Sequence, residues 1–207
     1  MRIETEHGPG EVLLDRVEAP ELVLAITHGA GGGVESADLL AVRDAVVAAG
    51  GVVARVLQPF RVAGRPLPGG AARQDRAWTS MMAALTEALR REYGELPLVV
   101  GGRSNGARVA CRTAREVGAA GVVALAFPVH PPRRPERSRA TELAGAGVPV
   151  LAVSGDRDPF GVPAAADVDR LVVLAGEGHE LMRDPTRVGA AVAGWLGGRG
   201  GRRPWGD

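Results

Sequence analysis

The chain has 207 residues, of which 45% are apolar and 24% charged, with a formal net charge of +1. That is the profile of one soluble globular domain with a sizeable core, and it gives no electrostatic case for binding nucleic acid or an anionic membrane surface. Every basic residue is arginine, so there is neither a phosphate-loop lysine nor a Schiff-base lysine; this excludes Walker-type nucleotide hydrolysis and lysine-linked pyridoxal phosphate. Cys111 is the single cysteine, which excludes an intramolecular disulfide and a cysteine-rich zinc site. The stretch from Met1 to Gly10 is polar and acidic, unlike a signal peptide, and no apolar run approaches the roughly 20 residues of a membrane span. The expectation is a cytoplasmic protein with no membrane association.

Arg2–Glu6 and Glu11–Arg16 flank His7-Gly8-Pro9-Gly10 and predict a hairpin. Apolar runs follow at Leu22–Ile26, Val52–Leu57, Leu98–Val100, Val122–Phe127, Val148–Val153 and Leu171–Leu174. Short runs of this kind predict strands of a sheet covered on both faces. Between them, Trp78, Met81, Met82, Leu85 and Leu89 fall at helical spacing, as do Ala107, Ala110, Cys111 and Ala114. Cys111 is read there as a buried core thiol. A last helix starts at Asp184 as N-cap with Pro185 in its first turn, and carries Val188, Val192, Trp195 and Leu196 on one face. Alternating strands and helices predict a mostly parallel central sheet with helices on both faces. Residues 1–196 are expected to form a single domain, and the Gly/Arg-rich segment 197–207, which has no periodicity, a disordered tail. There is no internal repeat.

Ligands of an open parallel sheet sit beyond the carboxyl ends of its strands, so the residues after each strand carry the functional reading. Val99-Val100-Gly101-Gly102-Arg103-Ser104-Asn105-Gly106-Ala107 runs from strand through Gly-x-Ser-x-Gly into a helix of small residues. This is the layout of a nucleophile elbow, which needs nearly bare positions two before and two after the serine. The N–H of Asn105 would open the helix towards a developing oxyanion. The other strand ends lead to Thr27-His28-Gly29-Ala30, Gln58-Pro59-Phe60-Arg61, Pro128-Val129-His130, Ser154-Gly155-Asp156-Arg157-Asp158 and Gly176-Glu177-Gly178-His179. A serine, an acid and a histidine thus follow three different strands in that order. Asp156 and Asp158 compete for the acid position. Each residue also has a plainer use: Ser104 as a helix N-cap, Asp158 as the N-cap before Pro159, His179 as a surface-loop residue.

These motifs resemble the α/β-hydrolase superfamily over nearly the whole chain, from Leu22 to Leu196. Thr27-His28-Gly29-Ala30-Gly31-Gly32, Gly101-Gly102-Arg103-Ser104, His130-Pro131-Pro132 and Asp158-Pro159-Phe160-Gly161 resemble more closely a small family related to dienelactone hydrolases. That family includes the hydrolase-like domain of an animal chromatin-complex subunit. The resemblance implies an α/β-hydrolase fold, with Ser104 as nucleophile, His179 as general base, Asp158 as the orienting acid, and the N–H groups of Ala30 and Asn105 as oxyanion hole. It also implies hydrolysis of a small-molecule carboxylic ester, thioester or lactone through an acyl-serine, with no cofactor or metal; the alternative is a non-catalytic binding or assembly module on the same fold. His28, Phe60, Arg61 and His130 are candidate substrate-lining residues, His28 having a loop-bracing role as its plainer reading. Glu177 and Glu180 flank His179 and are expected to act on it by their negative charge. Arg133, Arg134, Arg137 and Arg139 form a basic run, read either as a solvated face or as a mouth that attracts an acidic acyl substrate. The segment from Pro128 to Gly147 is too short for a lid domain, so an open site is expected. A dinucleotide fingerprint fails because position 34 is valine, and there is no His-Glu-x-x-His motif for a hydrolytic metal.

Overall fold

A computed structural model describes residues 1–198, 203–204 and 206. Eight strands form one sheet in the order β1-β2-β4-β3-β5-β6-β7-β8. The strands are β1 Arg2–Ile3, β2 Gly10–Asp15, β3 Val23–Thr27, β4 Val52–Leu57, β5 Leu98–Arg103, β6 Gly121–Leu125, β7 Val150–Gly155 and β8 Arg170–Leu174. β1 and β2 pair antiparallel, as does β2 with β4, and all other pairings are parallel. The N-terminal hairpin therefore forms, with its first arm reduced to two residues. The helices are α1 Ala37–Ala48, α2 Pro59–Val62, α3 Ala71–Tyr93, α4 Asn105–Thr113, α5 Ala140–Ala144 and α6 Pro185–Leu196.

Although the strands read as apolar runs, their side chains alternate between two separate cores. Ala25, Ala54, Val100 and Ala124 meet α3 and α4 through Trp78, Met81, Leu85, Ala107 and Cys111. Leu24, Ile26, Val99 and Leu125 meet α1 and α6 through Leu39, Val42, Val188 and Trp195. Burial pushes the Cys111 thiol up to about 12, so it is a protonated core residue. Two strands depart from the two-sided apolar expectation. β4 carries Arg55, whose buried guanidinium pairs with Asp15 on β2 (Nε–Oδ2 2.9 Å) and with Glu35. β8 has no strand beyond it, and Val173 is 45% exposed.

Asp184 occupies the N-cap position of α6, but its carboxylate makes no capping bond. Buried Glu177 supplies the acceptors instead, taking the N–H groups of Arg183 (3.2 Å) and Asp184 (2.7 Å). Between β6 and β7 the only helix is the five-residue α5, so no lid domain covers the sheet edge. The expected tail over 197–207 falls largely outside the described residues; within it, Arg203 donates to the Glu21 carbonyl at 2.9 Å. Among the described residues no helix is long and apolar enough to cross a membrane.

Trp78 is fully buried between α3 and the sheet. Trp78→Ala is expected to cost about 3–5 kcal/mol of unfolding free energy in urea denaturation, whereas Val173→Ala on the exposed edge should change it by less than about 0.5 kcal/mol.

Candidate active site

The parallel strands β3, β5, β7 and β8 bring their following loops to one sheet edge. Ser104 lies between β5 and α4 at φ 53°, ψ −113°, a left-handed conformation costing a non-glycine residue on the order of 1–3 kcal/mol. The flanking glycines make it possible. A Cβ on Gly102 would come within 2.6 Å of the Gly106 carbonyl carbon and 2.8 Å of the Thr27 oxygen. One on Gly106 would come within 2.7 Å of the His28 oxygen. Only bare backbone fits the crossing of this turn over the end of β3. The Ser104 N–H donates to Leu125 O at 2.8 Å, fixing the turn against β6.

Ser104 Oγ lies 2.9 Å from His179 Nε2, and His179 Nδ1 lies 2.8 Å from Asp158 Oδ2. The second carboxylate oxygen of Asp158 accepts the Phe160 N–H at 2.8 Å, and its side chain is fully buried. The Phe160 ring packs edge-on against the imidazole, centroids 4.4 Å apart. Nδ1–H donation to Asp158 leaves Nε2 as the acceptor for the serine hydroxyl. Asp156 is exposed and turned away, its Oδ1 accepting the Gly176 N–H at 2.7 Å. Of the two aspartates, Asp158 is the one joined to His179.

An open cleft of about 590 Å³ surrounds this chain of hydrogen bonds; Gly29, Ala30, Ser104, Asn105, Phe160 and His179 form its floor and walls, with Arg103, Arg108, Arg139 and Glu180 as its charged lining. Asn105 is the first residue of α4, where a backbone N–H has no intrahelical acceptor. Its side chain is held by Gln74, with Nδ2 donating to Oε1 at 2.6 Å. Neither glutamate beside the histidine is directed at the imidazole. Glu177 bonds the start of α6, and Glu180 pairs with Arg103.

The four candidate lining residues are placed elsewhere. His28 is fully buried; its Nδ1–H donates to Gly29 O at 2.8 Å and its Nε2 accepts the Gln58 N–H at 3.1 Å. It braces the loops after β3 and β4 and has no surface to offer a substrate. Phe60 packs against that imidazole and lines a different cavity of about 190 Å³. Arg61 is not on the cleft wall either. His130 closes its own loop through Pro131 O at 3.0 Å and lies against Gly161. Strand-end position alone selected these residues, and it does not report which way a side chain turns. Phe160 and Arg103 were missed as lining residues, although each is adjacent or near-adjacent in sequence to a residue of the hydrogen-bonded chain.

Burial lowers the His28 pKa to about 4 from an ordinary 6.5. The unfolded chain therefore binds a proton here that the folded chain refuses between those values, so stability falls as pH drops from 6.5 towards 4. The full loss is about 3 kcal/mol. Urea midpoints measured from pH 7 to 4 should show this fall, and the His28→Gln protein a shallower one.

Comparison with known proteins identifies the fold. Residues 20–174 match the family model described as Alpha/beta hydrolase domain. An alpha-beta serine hydrolase homologue from Coxiella burnetii superposes with a TM-score of 0.72 at 19% identity, over 93% of this chain and 94% of that one. A serine hydrolase without lid from Xanthomonas campestris gives 0.71 at 19% identity, over 93% and 90%. Est1E from Butyrivibrio proteoclasticus, with ferulic acid bound, gives 0.71 at 17% identity, over 93% and 96%. At such identities the likeness is one of fold. No match is found among curated proteins.

Proposed function

The chain belongs to the alpha/beta hydrolase domain family, and on that premise we propose that it is a serine hydrolase of carboxylic esters, thioesters or lactones. One observation carries the reading: the unbroken hydrogen-bonded chain from Ser104 Oγ through His179 to the buried Asp158 carboxylate. Ser104 Oγ attacks the carbonyl carbon of a small-molecule acyl substrate while His179 Nε2 takes its proton. The carbonyl oxygen, now an oxyanion, accepts from the N–H groups of Ala30 and Asn105. His179 Nε2–H then protonates the leaving oxygen or sulfur, and an acyl-serine remains. Water enters the open cleft and its oxygen attacks the acyl carbon as the same nitrogen takes its proton; the Oγ–carbon bond then breaks, Nε2–H returns the proton to Ser104 Oγ, and the acid leaves. Asp158 accepts from Nδ1–H throughout, holding the tautomer and stabilising the imidazolium. No step calls for a cofactor.

The motifs around His28, Arg103 and Asp158 support, as part of this proposal, a place near the dienelactone-hydrolase-related subgroup. Release of p-nitrophenol from p-nitrophenyl acetate tests the assignment. Ser104→Ala and His179→Ala should each lower kcat by about 10⁴-fold or more, and Asp158→Asn by about 10⁴-fold. Asp156→Asn, which alters only an exposed turn, should stay within a few-fold of the parent. The opposite ranking of the two aspartates would overturn the acid assignment.

A further inference from the structure

The charges lining the cleft are balanced at every position but one. Arg103 pairs with Glu180, and its Nε lies 3.8 Å from the buried Asp38 carboxylate. Arg108 grips Glu142 with Nε at 2.9 Å and Nη2 at 2.6 Å. Behind it, Arg112 reaches the same carboxylate at 3.2 Å and clamps Asp75 at 2.9 and 2.6 Å. Arg139 is the remaining cation of the wall. Among the described residues its guanidinium has neither an ion-pair nor a hydrogen-bond partner, because Glu142, the acid that attracts it, is taken up by Arg108 and Arg112.

The backbone of Arg139 is nonetheless held in place. Its N–H donates to Val129 O at 2.7 Å, and its carbonyl accepts the Glu142 N–H at 2.9 Å as α5 begins. Partial burial and the neighbouring Arg108 hold its pKa below the usual arginine range. A half-buried guanidinium beside two other cations is unfavourable until an anion joins it. One unmatched positive charge, presented as a planar fork, suits a monoanionic carboxylate better than a phosphate dianion.

We propose that Arg139 is a specificity residue that binds a free carboxylate on the substrate, so that the preferred esters are acidic ones. This rests on the hydrolase reading above and deepens it. The carboxylate can belong to the acyl chain or to the leaving alcohol, and two substrate pairs distinguish them. p-Nitrophenyl hemiglutarate against p-nitrophenyl pentanoate places the acid on the acyl side; 4-acetoxybenzoate against its methyl ester places it on the leaving group. In at least one pair, kcat/KM should favour the acidic ester by about tenfold or more. Arg139→Gln should bring that ratio to about one or below, and Arg139→Lys should keep part of it. Because the readout is a ratio, general damage to the fold lowers both members and leaves it unchanged. No acidic preference in either pair, or one that survives Arg139→Gln, overturns the proposal. If none of the four esters is cleaved and no fluorophosphonate adduct forms, the hydrolase reading itself has failed. Calorimetry of monoethyl glutarate binding to Ser104→Ala protein then decides the role of Arg139: binding lost on adding Arg139→Gln supports it, and binding unchanged or absent from the start contradicts it.

Discussion

The cleft depends on the steric closeness of one turn. Ser104 is held at φ 53°, and the turn that holds it passes so near the end of β3 that Gly102 and Gly106 have no room for a Cβ. The strain, on the order of 1–3 kcal/mol, is sustained by the strands on either side and by the Ser104 N–H bond to Leu125. Its consequence is directional: the hydroxyl stands at the mouth of α4, within reach of a histidine that arrives from the far side of the sheet.

The loops that meet this serine are fixed mainly by polar contacts. His28 ties the loop after β3 to the loop after β4, and its neutrality is a condition of that brace. Glu177 anchors the histidine loop to the start of α6, while Arg103 joins the serine turn to Glu180 and lies beside Asp38. Phe160 serves the acid through its N–H and the imidazole through its ring. Each contact lies outside the hydrogen-bonded chain of Ser104, His179 and Asp158, and together they hold its members to hydrogen-bonding distance. With only α5 between β6 and β7, the cleft at this edge is open to solvent.

The sheet is legible in the sequence because each strand is short, apolar and punctuated. Ser104, Asp158 and His179 could be set in order along the chain for the same reason. Between Asp156 and Asp158 the residues alone leave both open and the family resemblance favours Asp158; the structure joins Asp158 to His179 because its loop buries that carboxylate and leaves Asp156 exposed. The lining residues were misjudged where side-chain direction mattered: His28 turns inward to a carbonyl and an N–H, and Phe60 follows it. Arg55 is a buried charge whose partners Asp15 and Glu35 lie 40 and 20 residues away, and buried Glu177 takes main-chain N–H groups 6 and 7 residues on; no local pattern announces either. Arg139 lies in a basic run that reads either as a solvated face or as a mouth for an acidic acyl substrate; its partial burial and its place on the cleft wall separate it from Arg133, Arg134 and Arg137, which are exposed.

Whether Ser104 is an activated nucleophile is read from the intact mass of the protein after exposure to a fluorophosphonate probe. A single adduct is expected on the parent protein, absent from Ser104→Ala and strongly slowed in His179→Ala. Well-folded parent protein that takes up no adduct, or an adduct that persists in Ser104→Ala, would contradict Ser104 as that nucleophile.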